Sequence, residues 1–502
     1  MPRLIVSLIV ISGLFVTPAH AASIALGQAT ADRVTAIIEP DAADVNASAN
    51  IWLGAVYGTT LYLNDGANWV PYARGPFPIA KSVTLSASQS VTVVDHIDIS
   101  GLTGLQLYVG YDVDEQDMFT SPGKLAKIYT VDSCVGAASK WALWTGTTCL
   151  RGANIYQIRI PSDGSATFYP RYTQTDFNNL AALGANVVNI SHPGLYSETS
   201  PYALDADAQA NLDSLLAMIQ EANLFAVITF RTGPGRNEAA IVPEVDFPAL
   251  YSVWTSQTEQ DAWVAMWRYT ADRYKNDAIV VGYDLMCEPH SNAIVADPTY
   301  DASDFYPAYA NTLYDWNPLA KRITTAIRQV DTSTPILIGG MGWSAAAWLG
   351  SLASNGDSKT VYAVHQYEPQ TEYTHQIAPY ANSYGTSSGT FTRDDLQAYF
   401  SNVSSFKSSR GVPVAVNEFG VQRYQPNADQ YLTDSMDIME SIGVNYSVWL
   451  WESSDPDVDY DDFNFRRGPD PANHTDASPN VLTTVIQKYF QKNTVRPSNR
   501  GF

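Results

Sequence analysis

From residue 150 onward the sequence alternates eight short runs of β-formers with helical stretches, and nothing else in the chain constrains the fold as tightly. The runs are CLRGANI (149–155), GANVVNIS (184–191), LFAVITF (224–230), IVVGYDLM (279–286), PILIGG (335–340), VYAVHQY (361–367), VPVAVNEF (412–419) and NYSVWLW (445–451). Between them lie segments such as ANLDSLLAMIQEA and NPLAKRITTAIRQVD, whose apolar residues recur at helical spacing. Strands separated by helices pair in parallel, because parallel neighbours need a long crossover. Eight such units over about 340 residues predict an α/β fold, a (β/α)8 TIM barrel with enlarged loops.

The region before it reads differently. Runs such as NIWLGAVYG, TTLYLND, SVTVVDHIDIS and LQLYVGYDV are separated by turn residues and carry little helical periodicity, which predicts a small antiparallel β-sandwich. Most of the aromatics there (Trp52, Tyr57, Tyr62, Trp69 and Tyr72) are expected in its core. At the N-terminus Arg3 precedes an apolar run, residues 4–16, and then TPAHA, the pattern of a signal peptide cleaved after Ala21. The expected organisation is a signal peptide (1–21), a β-sandwich accessory domain (22–133), the barrel (134–492) and a frayed polar tail (493–502).

An exported chain meets oxidising conditions, so Cys134 and Cys149 are expected to form a disulfide, leaving Cys287 as a lone buried thiol. The net charge of −22 provides no basic surplus for phosphates, which excludes nucleic acid as the natural partner. No segment is long and apolar enough to span a bilayer, and a secreted or periplasmic monomer with a neutral partner is expected.

In a barrel of this kind chemistry gathers at the C-terminal ends of the strands. Those ends carry Asn189 and His192, Arg231, Glu288, Trp343, His365 and Tyr367, Glu418, and Trp449 and Trp451. Glu288 is followed by Pro289, which stops the strand, and Glu418 is released by Gly420. Two carboxylates on one rim are the equipment of glycoside hydrolysis, one giving a proton to the leaving oxygen and the other attacking the anomeric carbon. Strands four and seven face each other across the mouth, which suits the short separation of the retaining mechanism; that mechanism requires no metal or organic cofactor. His192 and His375 lack partners at metal-ligand spacing. The acidic loop 455–464 lacks EF-hand spacing and reads as a solvated loop. A thiol nucleophile at Cys287 with His290 as base is the weaker reading of that corner, since Pro289 and the strand end serve Glu288 better.

YDLMCEP, followed 130 residues later by VAVNEFG, with LRGANI opening the barrel and VHQYEP between them, resembles glycoside hydrolase family 5, the cellulase-like clan-A barrels. The resemblance covers roughly residues 150–491. It implies Glu288 as acid/base, Glu418 as nucleophile, His365 and Tyr367 beside the nucleophile, and Trp449 as the floor of the sugar site, with Trp451 as its alternative. The sequence departs from the family pattern in three places. Cys287 stands where an Asn amide usually contacts the sugar 2-hydroxyl, Asn189 where strand two often ends in Arg, and Arg231 where strand three usually ends in His. Either Asn189 or Arg231 then replaces that contact, or activity on ordinary cellulose is expected to be poor. The implied activity is cleavage of a β-linked polysaccharide. The alternatives are an exo-acting glycosidase or transglycosylase on a glycolipid or envelope glycan, with loop 291–318 closing one end of the cleft, and a carbohydrate-binding barrel of little activity.

Overall fold

The computed structural model describes residues 22–29, 32–99, 102, 104–131, 134, 137–160, 167–237, 248–295, 298, 301–376, 381–385, 389–453 and 462–500. The expected signal peptide lies outside the described residues, as does the acidic loop up to residue 461. The chain divides into two compact units, Met1–Gly136 and Ala137–Phe502. No helix among the described residues is long and apolar enough to cross a membrane.

In the first unit two antiparallel sheets share one core. Ser23–Ala29, Arg33–Glu39 and Gln89–Asp95 form a three-stranded sheet. Ser48–Tyr57 and Gln106–Asp112 lie at the centre of a six-stranded one. Alternate residues point inward, as period-two pleating dictates: Val34, Ala36 and Ile38 from one sheet meet Ile51, Leu53, Leu107 and Val109 from the other. This is the expected sandwich. The aromatics depart from expectation. Trp52 is buried, but Tyr62, Trp69 and Tyr72 are only half-buried and Tyr57 is exposed.

The second unit is a closed, all-parallel barrel of eight strands. They are β1 (Arg151–Tyr156), β2 (Val187–His192), β3 (Phe225–Phe230), β4 (Val280–Asp284), β5 (Ile336–Gly339), β6 (Thr360–Gln366), β7 (Val414–Phe419) and β8 (Asn445–Val448). Each matches one of the eight runs, and β8 closes on β1 with Arg151 beside Tyr446. Gly152 is required where β1 meets β2, since a Cβ there would lie 1.8 Å from the Val187 carbonyl oxygen. The outer helices bury one stripe each. Helix Ala206–Glu221, capped by the Asp205 side chain, turns Leu212, Leu215, Leu216 and Ile219 inward. Each such buried side chain stabilises the fold by about 1.5–3 kcal/mol.

Two expectations about the ends are corrected. β4 and β8 stop at Asp284 and Val448, two and three residues short of the predicted strands, because the chain leaves the ladder to build the rim. The C-terminal tail is anchored: Asn493 Nδ2 donates to the carbonyls of Arg151 and Gly184, Arg496 to that of Ala185, and Val495 is fully buried. Asn493 and Arg496 spend their donors on backbone carbonyls, which composition alone cannot distinguish from a solvated tail. Cys134 and Cys149 are disulfide-bonded, and Cys287 is free and buried.

Candidate active site

After Asp284 the chain turns sharply, and Glu288 sits in the left-handed region at φ 52°. A non-glycine residue held there costs roughly 1–3 kcal/mol and needs support from its surroundings. Arg236 supplies it. Almost wholly buried, it donates through Nη1 to the carbonyls of Arg231 (2.8 Å) and Cys287 (2.7 Å), and through Nη2 to that of Glu288 (2.9 Å). His290 Nδ1 lies 2.7 Å from the same Glu288 carbonyl, and its ring stacks on Trp343 at 5.2 Å. His290 is therefore committed to the turn and is no base for a thiol.

The turn aims the Glu288 carboxylate at His365. Across the mouth, β6 and β7 pair with a register shift between Val364 and His365, which sets His365 directly beside Glu418. His365 Nδ1 then lies 2.9 Å from Glu288 Oε1 and 3.2 Å from Glu418 Oε2. Two more donors converge on Glu418: the Tyr367 hydroxyl at 3.1 Å on Oε2 and the Cys287 thiol at 3.7 Å on Oε1. Glu418 is 2% exposed.

Burial pushes both carboxyls up, and the shared imidazole pulls both down. Glu288 ends below its ordinary value because His365 bonds it most closely, whereas Glu418 stays above. Burial alone pushes His365 down, but Glu418 and Glu288 together carry it to about 9. The imidazolium thus holds two acids together as one titrating unit.

Arg231, just past β3, forms the cationic wall. Its guanidinium lies 4.6 Å from the Tyr156 ring centroid and 5.7 Å from that of Trp449, with Nη1 3.4 Å from Ser191 Oγ and 3.8 Å from Cys287 Sγ. Tyr156 and Trp449 pack at 5.8 Å. His375 packs edge-on against Tyr367 at 5.1 Å, and burial lowers it to about 4, so it is neutral near pH 7.

The fold therefore gathers Glu288, Glu418, His365, Tyr367, Cys287, Arg231 and Trp449 at one mouth, and it leaves three predicted residues elsewhere. Asn189 lies one layer down inside the barrel, donating to Asn154 Oδ1 (2.5 Å) and accepting from Thr229 Oγ1 (2.8 Å). Ser191, two residues further along β2 and hence about 6.6 Å higher, is the one that reaches Arg231. His192 is sealed outside the mouth, its ring nitrogens bonded to the Pro193 carbonyl and Asn211 Oδ1 and its face stacked on Phe168. Trp451 is core: its Nε1 donates to the Asp176 carbonyl, and Arg466 and Phe465 cover its ring. Two members of the site escaped sequence reading. Tyr156 is the last residue of β1, one position past the predicted strand, and a longer strand estimate finds it. Arg236 acts mainly through backbone carbonyls and leaves no motif.

A family model for cellulase, glycosyl hydrolase family 5, matches residues 150–455, more than half the chain. The chain belongs to glycosyl hydrolase family 5. Endoglucanase C of Acetivibrio thermocellus is 25% identical over 213 residues, covering 42% of this chain and 54% of its own. An endoglycoceramidase of Cyanea nozakii is 32% identical over 118 residues, covering 22% of this chain and 21% of its own. The chain thus spans about half or less of the length of these relatives. A solved structure of a hyperthermophilic endo-β-1,4-glucanase in complex with substrate superposes with TM-score 0.51 at 17% identity, covering 70% of this chain and 99% of that one, and shares its fold.

Beneath the family 5 mouth lie groups that set a pH dependence of stability. Burial raises Asp284, bonded to Asn417 and Thr229 inside the barrel, to about 7, and Glu452, beside Tyr172, to about 8. With His365 at about 9, three groups bind protons more tightly folded than unfolded. Their contribution is complete below the unfolded pKa and is lost as pH rises through the folded one. Below about pH 6.5 the lowered His375 and His192 act in the opposite sense, so the melting temperature is expected to fall chiefly between about pH 6.5 and pH 9, and Glu452→Gln should flatten the decline below pH 8. Calorimetry across that range checks both; a melting temperature that rises toward pH 9 contradicts the assignment.

Proposed function

We propose that this chain is an exported, retaining O-glycoside hydrolase that cleaves a β-linked polysaccharide of the glucan class by double displacement. The observation that supports this most directly is the shared imidazole. Because one nitrogen of His365 touches both carboxylates, the facing oxygens of Glu288 and Glu418 cannot be more than about 6 Å apart. That closeness supports a direct attack by one carboxylate over the water-separated pair of an inverting enzyme, whose carboxyls stand about 6.5–9.5 Å apart. Export is supported by the disulfide and by the leader-like residues 1–21.

Glu288 gives its proton to the glycosidic oxygen as Glu418 bonds the anomeric carbon, and the leaving sugar departs as an alcohol. Glu288, now a carboxylate, removes a proton from water, whose oxygen bonds the anomeric carbon and releases Glu418. This cycle needs the proton on Glu288 and the charge on Glu418, whereas without substrate burial raises Glu418 and the bond to His365 lowers Glu288. The glycosidic oxygen, arriving at Glu288, replaces His365 as its partner. Glu418 keeps the donors at Tyr367 and Cys287, and donated hydrogen bonds favour its ionised form. Trp449, half-buried at the mouth, supplies the apolar face for the reacting sugar.

Cys287 is a weak donor and cannot replace an amide at the 2-hydroxyl. Arg231 and Ser191, which converge beside it, take that task and supply the cation for Glu418. Arg231→Ala is expected to lower kcat/KM by about 10²-fold, with Arg231→Lys retaining part of the activity. Steady-state kinetics on a soluble β-glucan checks it, and an unchanged kcat/KM removes Arg231 from the mechanism.

Hydrolysis of a panel of β-glucans, xylan, mannan and a glycosylceramide tests the reading as a whole. Release of product first in the β-configuration supports it, whereas α-configured product overturns the retaining mechanism. A glycolipid is the second substrate class, favoured by the similarity to an endoglycoceramidase. Selective cleavage of the glycosylceramide decides for it, single-sugar release from chain ends decides for exo action, and no cleavage at all leaves a binding barrel.

A further inference from the structure

Among the described residues Cys287, His365 and Glu418 form a group whose donor atoms all lie within 4.8 Å of one another, wholly buried beneath the mouth. A tetrahedral zinc ion has ligands at about 2.3 Å (sulfur) and about 2.0 Å (nitrogen, oxygen), so its donors stand roughly 3.3–3.6 Å apart. Here Sγ of Cys287 is 3.7 Å from Oε1 of Glu418, and Nδ1 of His365 is 3.2 Å from Oε2. Glu288 Oε1, 2.9 Å from the same nitrogen, is the nearest fourth donor. The two short separations end on different oxygens of Glu418, and with one donor atom per residue the three lie within 4.8 Å of one another, so binding draws them together by about 1 Å.

The donor set selects the ion. Thiolate and imidazole together favour Zn²⁺ or Cd²⁺ over Mg²⁺ and Ca²⁺, which require oxygen cages. The charges also match. As a divalent ion binds, the thiol proton and the Nδ1 proton leave to solvent, so the formal charge of the site does not change. Arg231 Nη1, 3.8 Å from the sulfur, faces the thiolate that remains.

We propose that the catalytic mouth is also a binding site for a single thiophilic divalent cation, held by Cys287, His365 and Glu418, and that this ion is an inhibitor rather than a cofactor. It occupies the carboxylate that attacks the sugar and the imidazole that joins the two acids, so metal and glycan exclude each other. The inhibition rests on the hydrolase reading above, but the binding does not.

The full chain is titrated with Cd²⁺ in the absence of thiol reductants, and the ultraviolet thiolate-to-metal charge-transfer band is followed. Cys134 and Cys149 are in a disulfide, so Cys287 is the one thiol that can give the band. The expected result is saturation at one equivalent, displacement by Zn²⁺, and loss of the band in Cys287→Ala. Zn²⁺ affinity, measured by equilibrium dialysis, should be at least about 10²-fold weaker in that variant. Cys287→Asn serves the same purpose if the alanine variant does not fold. Stoichiometric Zn²⁺ should abolish glycan hydrolysis reversibly, with chelator restoring it and oligosaccharide slowing Cd²⁺ uptake. Absence of the band, or equal Zn²⁺ affinity with and without the thiol, overturns the site. A band without any glycan hydrolysis keeps the metal site and removes the hydrolase reading, and hydrolysis without a band does the opposite.

Discussion

Glu418→Gln is expected to abolish turnover, with kcat on a β-glucan falling by at least about 10⁴-fold. An amide cannot form the ester that double displacement requires, and among the described residues no other carboxylate on the mouth can move into its place, since Glu288 is fixed by the turn that Arg236 clamps. The same change should make the protein more stable. Glu418 is buried and burial raises it, so the ionised form is held against its preference for water. Glutamine keeps the shape and can still accept from Tyr367. A higher melting temperature with lost activity separates a removed catalytic group from a damaged fold. Residual activity above about one per cent of wild type, on any glycan the wild type cleaves, denies Glu418 its role.

The barrel was legible because burial on both faces forces its strands to be apolar throughout, and the intervening helices repeat every 3.6 residues. Strand ends were less legible. Trp449 and Trp451 belong to one apolar run, but the ladder stops at Val448, after which Trp449 faces the mouth and Trp451 turns into the helix layer toward Asp176. The tail misled for a related reason: Asn493 and Arg496 are polar yet satisfied by backbone carbonyls.

The two glutamates were legible from one rule, that chemistry sits where barrel strands end. Depth along a strand was not. Asn189 and Ser191 face the same way two residues apart, and only the register of β2 with β1 and β3 tells which reaches the rim. The shift between β6 and β7 that joins His365 to Glu418 has no sequence signal either. Cys287 was read as a lost amide. Its neighbours give it a second character, as a donor to Glu418 and a soft ligand beside an imidazole.

Glu288→Gln should differ from Glu418→Gln in kind. Loss of a general acid costs about 10²–10⁴-fold, and the cost depends on how much the leaving group needs a proton. On a natural glycan, whose leaving group is an alcohol, the full loss is expected. On an aryl glycoside with an acidic phenol, formation of the glycosyl–enzyme needs no proton and should stay fast. The second step still lacks its base, so the intermediate accumulates and an initial burst of phenol precedes slow turnover. The pH profile supplies an independent reading. The acid works only when protonated, so wild-type kcat/KM on a glycan falls as pH rises through the pKa of the joined acids. In Glu288→Gln that alkaline limb should vanish for the aryl substrate. Pre-steady-state phenol release measures the burst. If Glu288→Gln loses as much on the activated substrate as on the glycan, with no burst, Glu288 holds the site together and does not transfer the proton.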